Sequence, residues 1–167
     1  MVENYYSSEI YNSLLKSGNH YNEYEIYSEF EDIYLHGYID KLIIDNSRGI
    51  LVDYKTDNIN ESNIISKIEL YKNQLMFYAK MIFDRFPKIN DVEIKLIFLN
   101  DLTKSYSEVV KRDSNALNEL ENNLKKLIHS VRERKYNFNK LNCGNCQFFI
   151  NKKCIKENQI NEKYSTV

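Results

Sequence analysis

The sequence predicts an α/β fold, one α/β/α unit in a single domain-sized chain of 167 residues. Three observations predict it. Residues 23–55 hold three consecutive strand-like runs, residues 61–85 carry the clearest helical period in the chain, and strand-like runs resume at 92–99 and 105–111 before a second long helical pattern. Helices alternating with strands in this way cover the faces of one sheet.

Each element has its own signal. Residues 6–17 read as a short helix with Ile10, Tyr11, Leu14 and Leu15 on one side and Gly18 as its stop. Residues 23–30 (EYEIYSEF) alternate as a strand. Residues 33–44 (IYLHGYIDKLII) and 50–55 (ILVDYK) are two arms of a hairpin around Asn46-Ser47, the second arm bounded by Ser47-Arg48-Gly49 and Thr56-Asp57. In the helix at 61–85, Ile64, Ile68, Tyr71, Leu75, Tyr78, Ile82 and Phe86 recur at three- and four-residue steps, and Pro87 closes it. The helix at 114–133 carries the stripe Leu117, Leu120, Leu124, Leu127 and Val131. From Tyr136 onward the chain reads as irregular and contains all the cysteines, so the expected division is a core at 1–135 and a C-terminal segment at 136–167.

Composition narrows the class. The N-terminus, MVENYYSSEI, has no apolar stretch of the signal-peptide kind, and no apolar run is long enough to span a membrane. Three cysteines confined to 143–154 do not make a secreted disulfide framework, so the expected location is cytoplasmic. The net charge of −1 gives no global attraction to nucleic acid. Lys67, Lys72 and Lys80, then Lys125, Lys126, Arg132, Arg134 and Lys135, are the candidate local contributors.

The chemistry concentrates in the stretch from His36 to Asp57, HGYIDKLIIDNSRGILVDYKTD. In a symmetric hairpin, position 40 faces position 53, and directly opposed residues have Cβ atoms roughly 5 Å apart. Two carboxylates held that close repel unless a cation lies between them, and hard divalent cations take such oxygens. Lys55, two residues after Asp53, shares its face by alternation. Two acids and an amine on one face point to metal-assisted phosphodiester hydrolysis. The plain alternative is a structural ion pair between Asp53 and Lys55.

Gly37-Tyr38-Ile39-Asp40 followed by Val52-Asp53-Tyr54-Lys55-Thr56-Asp57 resembles the PD-(D/E)XK nucleases, specifically the RecB/AddA-like, helicase-associated branch. That branch carries G-x-x-D, then D-Y-K-T, then a helix with Q-x-x-x-Y, supplied here by Gln74 and Tyr78. The resemblance runs from about Glu23 to Cys154 and implies a restriction-endonuclease-like α/β/α core with a central mixed sheet. It implies that Asp40, Asp53, the Tyr54 carbonyl and an upstream glutamate hold Mg²⁺ or Mn²⁺, with Lys55 orienting the water or stabilising the transition state. Gln74 and Tyr78 would border the cleft. Of the upstream acids, Glu23, Glu25 and Glu29 share one alternation face, and Glu25, central in its strand, is the candidate ligand. The implied substrate is DNA, single-stranded when cut and delivered by a helicase domain or subunit; no P-loop is present to supply an ATPase.

Cys143, Cys146 and Cys154, spaced C-x-x-C-x7-C, resemble the C-terminal cysteine cluster of the iron–sulfur members. A 4Fe–4S cluster or a tetrahedral Zn²⁺ site takes four ligands, and the chain offers three cysteines; the alternative is that the three thiols are free or bind zinc with help from His or Asp. Iron–sulfur members place their first cysteine, and a helical histidine, well upstream of the core. The expectation is therefore a C-terminal piece of a longer helicase–nuclease polypeptide. Two rival readings remain: a catalytically idle PD-(D/E)XK-like module that binds DNA or scaffolds a helicase, and a small zinc-binding adaptor built on the cysteines.

Overall fold

The computed structural model describes residues 2–16, 18–135, 143 and 146–154. Two compact units divide it, residues 1–123 and 124–167. The first begins with two short helices, α1 (Val2–Tyr6) and α2 (Glu9–Leu15), where the sequence predicts one at 6–17. Ser8 breaks the run: its extended backbone and its hydroxyl, which accepts the Tyr11 N–H, make it the N-cap of α2.

A mixed five-stranded sheet follows, in the order β1-β2-β3-β4-β5. β1 (Asn19–Phe30), β2 (Ile33–Asp45) and β3 (Arg48–Lys55) form an antiparallel meander. The β2–β3 turn is two residues, closed by the Asp45–Arg48 pair, with Asn46 in the left-handed region at φ 52°. α3 (Ile64–Arg85) then crosses over so that β4 (Asp91–Phe98) lies parallel to β3. β5 (Tyr106–Lys111) closes the sheet antiparallel to β4, after a 3-10 turn at Leu102–Lys104. α4 (Asn115–Arg132) spans the division between the two units.

The sheet has two differently covered faces. On one, Gly49 lets the sheet approach Ile82 of α3, and Lys55 lies over the ring of Tyr71. On the other, Ile43, Ile50, Val52 and Ile97 form a core with Tyr5 of α1 and Leu14 of α2. β3 is therefore buried on both faces, which is why Ile50, Leu51 and Val52 are apolar without interruption.

Side-chain alternation reverses partway along β2. Near its start, the odd position Gly37 faces α3, beneath Tyr78. Near its end, the odd position Ile43 packs against the α1–α2 side. The break lies at Asp40. Its partner across β1 is Glu23, flanked by the pairs Asn22–Lys41 and Tyr24–Ile39, and Glu23 adopts a left-handed backbone at φ 49° that removes this one pair from the ladder. Such local breaks re-aim a side chain.

The second unit contains the last turns of α4, a short helix α5 (Gln147–Ile150) and the three cysteines, of which Cys143 is buried and Cys146 and Cys154 are half-buried. Most of the segment read as irregular from 136 onward lies outside the described residues.

Candidate active site

The β2–β3 ladder ends at the pair Lys41–Val52, so the next step places Asp40 opposite Asp53. There the strands part. Asp40 Oδ2 accepts the Tyr54 N–H at 2.9 Å, the bond a continuing ladder would otherwise take up. Asp53 follows the apolar core of β3 and is 5% exposed. Lys55, on the same face, brings its Nζ to 2.7 Å from Asp53 Oδ2. The Asp53–Lys55 pair, on the α3 side, and Asp40, which opens onto the α1–α2 side beside Tyr54, thus flank the point where β2 leaves β3.

The electrostatics of Asp53 follow from that position. Burial raises its pKa above the ordinary carboxylate range, the negative charge of Asp40 adds to the rise, and the Lys55 ammonium opposes it. Asp53 Oδ2 has this ion-pair partner yet no aligned hydrogen-bond donor. A buried carboxylate oxygen so placed, beside a second carboxylate, fits a hard cation. Magnesium is held by one or two carboxylates while keeping waters and substrate phosphate oxygens, which matches a two-acid donor set. Among the described residues no three His, Cys, Asp or Glu side chains gather as a metal cluster.

Glu25 stands elsewhere. Its Oε1 accepts from Tyr38 at 2.6 Å and Tyr27 at 2.7 Å and lies 3.0 Å from His36 Nε2. These three partners, the Tyr38 hydroxyl first, hold its carboxyl below the usual range. The glutamate that lines a cleft with Asp40 is Glu23. The alternation break at that position, invisible in a pattern of polar residues, is what separates the two.

Gln74 Nε2 lies 3.3 Å from the Tyr78 hydroxyl, one helical turn away on α3. The Tyr78 ring covers Gly37, three residues before Asp40. The other end of the motif is held as well. Asp57 takes the Lys67 ammonium at 2.5 Å and the Tyr71 hydroxyl at 2.9 Å, both from α3. Those partners, Lys67 first, keep its carboxyl below the ordinary range. Asn100 donates to the Thr56 carbonyl at 2.5 Å.

Sequence reading missed the tyrosines of α1 and α2. Tyr5 and Tyr54 share a hydroxyl–hydroxyl bond of 2.7 Å, and Tyr5, Tyr6, Tyr11 and Tyr54 line a cleft of about 430 Å³ with Asp40. The only available signal was the density of tyrosine near the N-terminus.

A diverging β-hairpin carrying two acids and a lysine, on a mixed sheet crossed by one helix, defines a class of α/β nuclease folds. The chain belongs to the PD-(D/E)XK nuclease superfamily, whose family model matches residues 8–149. Two curated relatives, both ATP-dependent helicase/nuclease subunits, are similar over shorter stretches. The one from Clostridioides difficile (strain 630) is 46% identical over 52 residues, 31% of this chain and 4% of that protein. Its namesake from Clostridium acetobutylicum is 34% identical over 74 residues, 44% of this chain and 5% of that protein. The crystal structure of the protein designated SSO0001 shares the fold, with a TM-score of 0.51 at 14% identity, over 84% of this chain and 63% of that one. No helix among the described residues is long and apolar enough to cross a membrane.

Proposed function

We propose that this chain is a divalent-metal-dependent deoxyribonuclease module, an exonuclease acting in DNA repair or recombination beside a helicase domain or subunit. The observation that supports the reading is the buried Asp53–Lys55 pair at the parting strands, within reach of the negative charge of Asp40, which is itself bonded to the Tyr54 N–H. The similarity to helicase/nuclease proteins supports the helicase setting.

Asp40, Asp53 and the Tyr54 carbonyl are the residues to hold Mg²⁺ or Mn²⁺, with Glu23 the better-placed upstream acid. Such an ion, when bound, lowers the pKa of a coordinated water and stabilises negative charge developing on a phosphate. The protein's own contribution is preorganisation. The Asp40–Tyr54 bond fixes the backbone of the D-Y-K segment, and Lys55 holds an ammonium next to Asp53, placed to orient a water or neutralise phosphate oxygens. Gln74 and Tyr78 position the G-x-x-D strand from α3. Cys143, Cys146 and Cys154 are proposed ligands of an iron–sulfur cluster or zinc, on the strength of their spacing.

The test is cleavage of single-stranded DNA by the full chain, with its helicase partner where one is found, in Mg²⁺, Mn²⁺ and Ca²⁺. Cleavage in the first two and binding without cutting in calcium is the expected result. Asp53→Ala should abolish cutting. A variant that cuts like the parent overturns the assignment, and a parent that binds strand yet never cuts establishes the idle module instead.

A further inference from the structure

Lys41 follows the motif aspartate directly, and it is 9% exposed. Its Nζ donates to Asn22 Oδ1 at 3.0 Å, and no carboxylate among the described residues forms an ion pair with it. A buried ammonium normally finds an anion. Here it is held one residue from Asp40, and both line the tyrosine cleft. The cause is the alternation break: it turns Lys41 to the α1–α2 side, away from α3, while Asp40 bonds across the gap to Tyr54.

The other wall of this cleft is aromatic and already ordered. Tyr6 is 55% exposed, and its ring is steadied by Tyr11, at 4.9 Å and 87°, and by Tyr5, at 5.6 Å and 52°. Tyr5 is in turn fixed to Tyr54 by the 2.7 Å hydroxyl bond and a T-shaped ring contact. The cleft, about 430 Å³, is also lined by the acids Glu23 and Asp40. Among the described residues the Lys41 ammonium, without an ion-pair partner, is therefore its one cationic point for a phosphate, and the flat exposed Tyr6 ring suits a planar base.

We propose that Lys41 and Tyr6 form a nucleotide subsite next to the scissile position, Lys41 taking a backbone phosphate of the strand and Tyr6 stacking its base. The inference rests on the nuclease reading for its substrate, and it adds how a nearly neutral chain holds that substrate. One well-buried cation contributes what an array of surface lysines would otherwise supply. Stacking on tyrosine is tolerant of base identity, as an exonuclease requires.

The test reads binding in EDTA, so cleavage plays no part. A fluorescent (dT)12 strand is titrated against the full chain across a range of salt. Lys41→Met should weaken binding about tenfold and flatten the plot of log K against log salt by about 0.7, the signature of one lost single-strand phosphate contact. Lys41→Arg should keep the slope. Tyr6→Ala should weaken binding roughly tenfold with the slope unchanged, since stacking releases no counter-ions. A folded Lys41→Met protein with parental affinity and slope overturns the proposal, as does a parent chain that binds no strand. Should Lys41→Met fail to fold, the unaltered chain still decides by NMR. Thymidine 5′-phosphate should shift signals of both Tyr6 and Lys41, thymidine those of Tyr6 alone, and no shift at either refutes the subsite. Loss of the nuclease reading shows separately, as Asp53→Ala retaining cleavage.

Discussion

Gly37 and Tyr78 are fitted to each other: a Cβ built at position 37 would lie 2.5 Å from Tyr78 Cε1 and 3.3 Å from Cδ1. The glycine of G-x-x-D and the tyrosine of Q-x-x-x-Y, far apart in sequence, are two sides of one contact. Gly37→Ala should push the ring off β2, disturb the Gln74–Tyr78 pair and cost about 1–3 kcal/mol of stability, the usual range for overpacking. Combined with Tyr78→Ala, which vacates the space, it should cost less than the sum of the two single changes. A double-mutant cycle by urea unfolding checks this, and strict additivity would refute the contact.

Asp57 ties the end of the D-Y-K-T-D run to α3 through Lys67 and Tyr71, and its carboxyl is held below the ordinary range. A depressed folded pKa means that the unfolded chain binds the proton first as pH falls. The contribution is therefore complete above the unfolded value, about 4, and is lost as pH falls through the folded value. Asp57→Asn should lower stability at pH 7 by less than about 1 kcal/mol, given the exposure of the lysine, and by progressively less under acid. Thermal melts from pH 7 down to 3 measure it. A loss that stays constant with pH would rule out the charge as its source.

Much of the fold was legible because each element carries its own period. The register of the β2–β3 hairpin was legible too: a two-residue turn at Asn46-Ser47 leaves one symmetric pairing, and it runs from Asp45–Arg48 up to Lys41–Val52. What sequence pattern does not encode is a break in the pattern. Glu23 with a left-handed backbone looks like any other glutamate, yet it decides which way Asp40, Lys41 and Glu25 point. The Tyr5–Tyr54 bond was hidden for a different reason. It joins residues 49 positions apart, and nothing about a surface-looking tyrosine in a five-residue helix announces its partner.

Asp53 and Lys55 should separate in their effects. Asp53→Ala removes a carboxylate whose charge is disfavoured by burial and by Asp40 but leaves the Lys55 ammonium without its counter-charge, so its melting temperature should stay near the parent's while cleavage is lost. Lys55→Ala should also stop cleavage, yet it leaves Asp53 buried without its counter-charge, so stability should fall. Isothermal titration with Mn²⁺ should still show binding in Lys55→Ala and little in Asp53→Ala. Gln74→Ala should be milder than either, because a positioning loss is partial. Equal loss of ion binding in both variants would refute the division of roles.

The last expectation concerns the upstream acid. Glu25 is occupied by Tyr27, His36 and Tyr38 on one face of β1 and β2, whereas Glu23 lies across from Asp40 and lines the same cleft. If a third carboxylate completes the ion's coordination, position alone favours Glu23. Glu23→Gln keeps the shape and removes the charge, so it should weaken Mn²⁺ binding and slow cleavage at limiting metal, with partial recovery at high metal. Glu25→Gln should leave both near the parental level, because its carboxylate already has its donors. The comparison is a Mn²⁺ titration of cleavage rate for the two variants side by side. The reverse order would return the role to Glu25 and require β1 to shift by a residue at Glu23 when the ion binds.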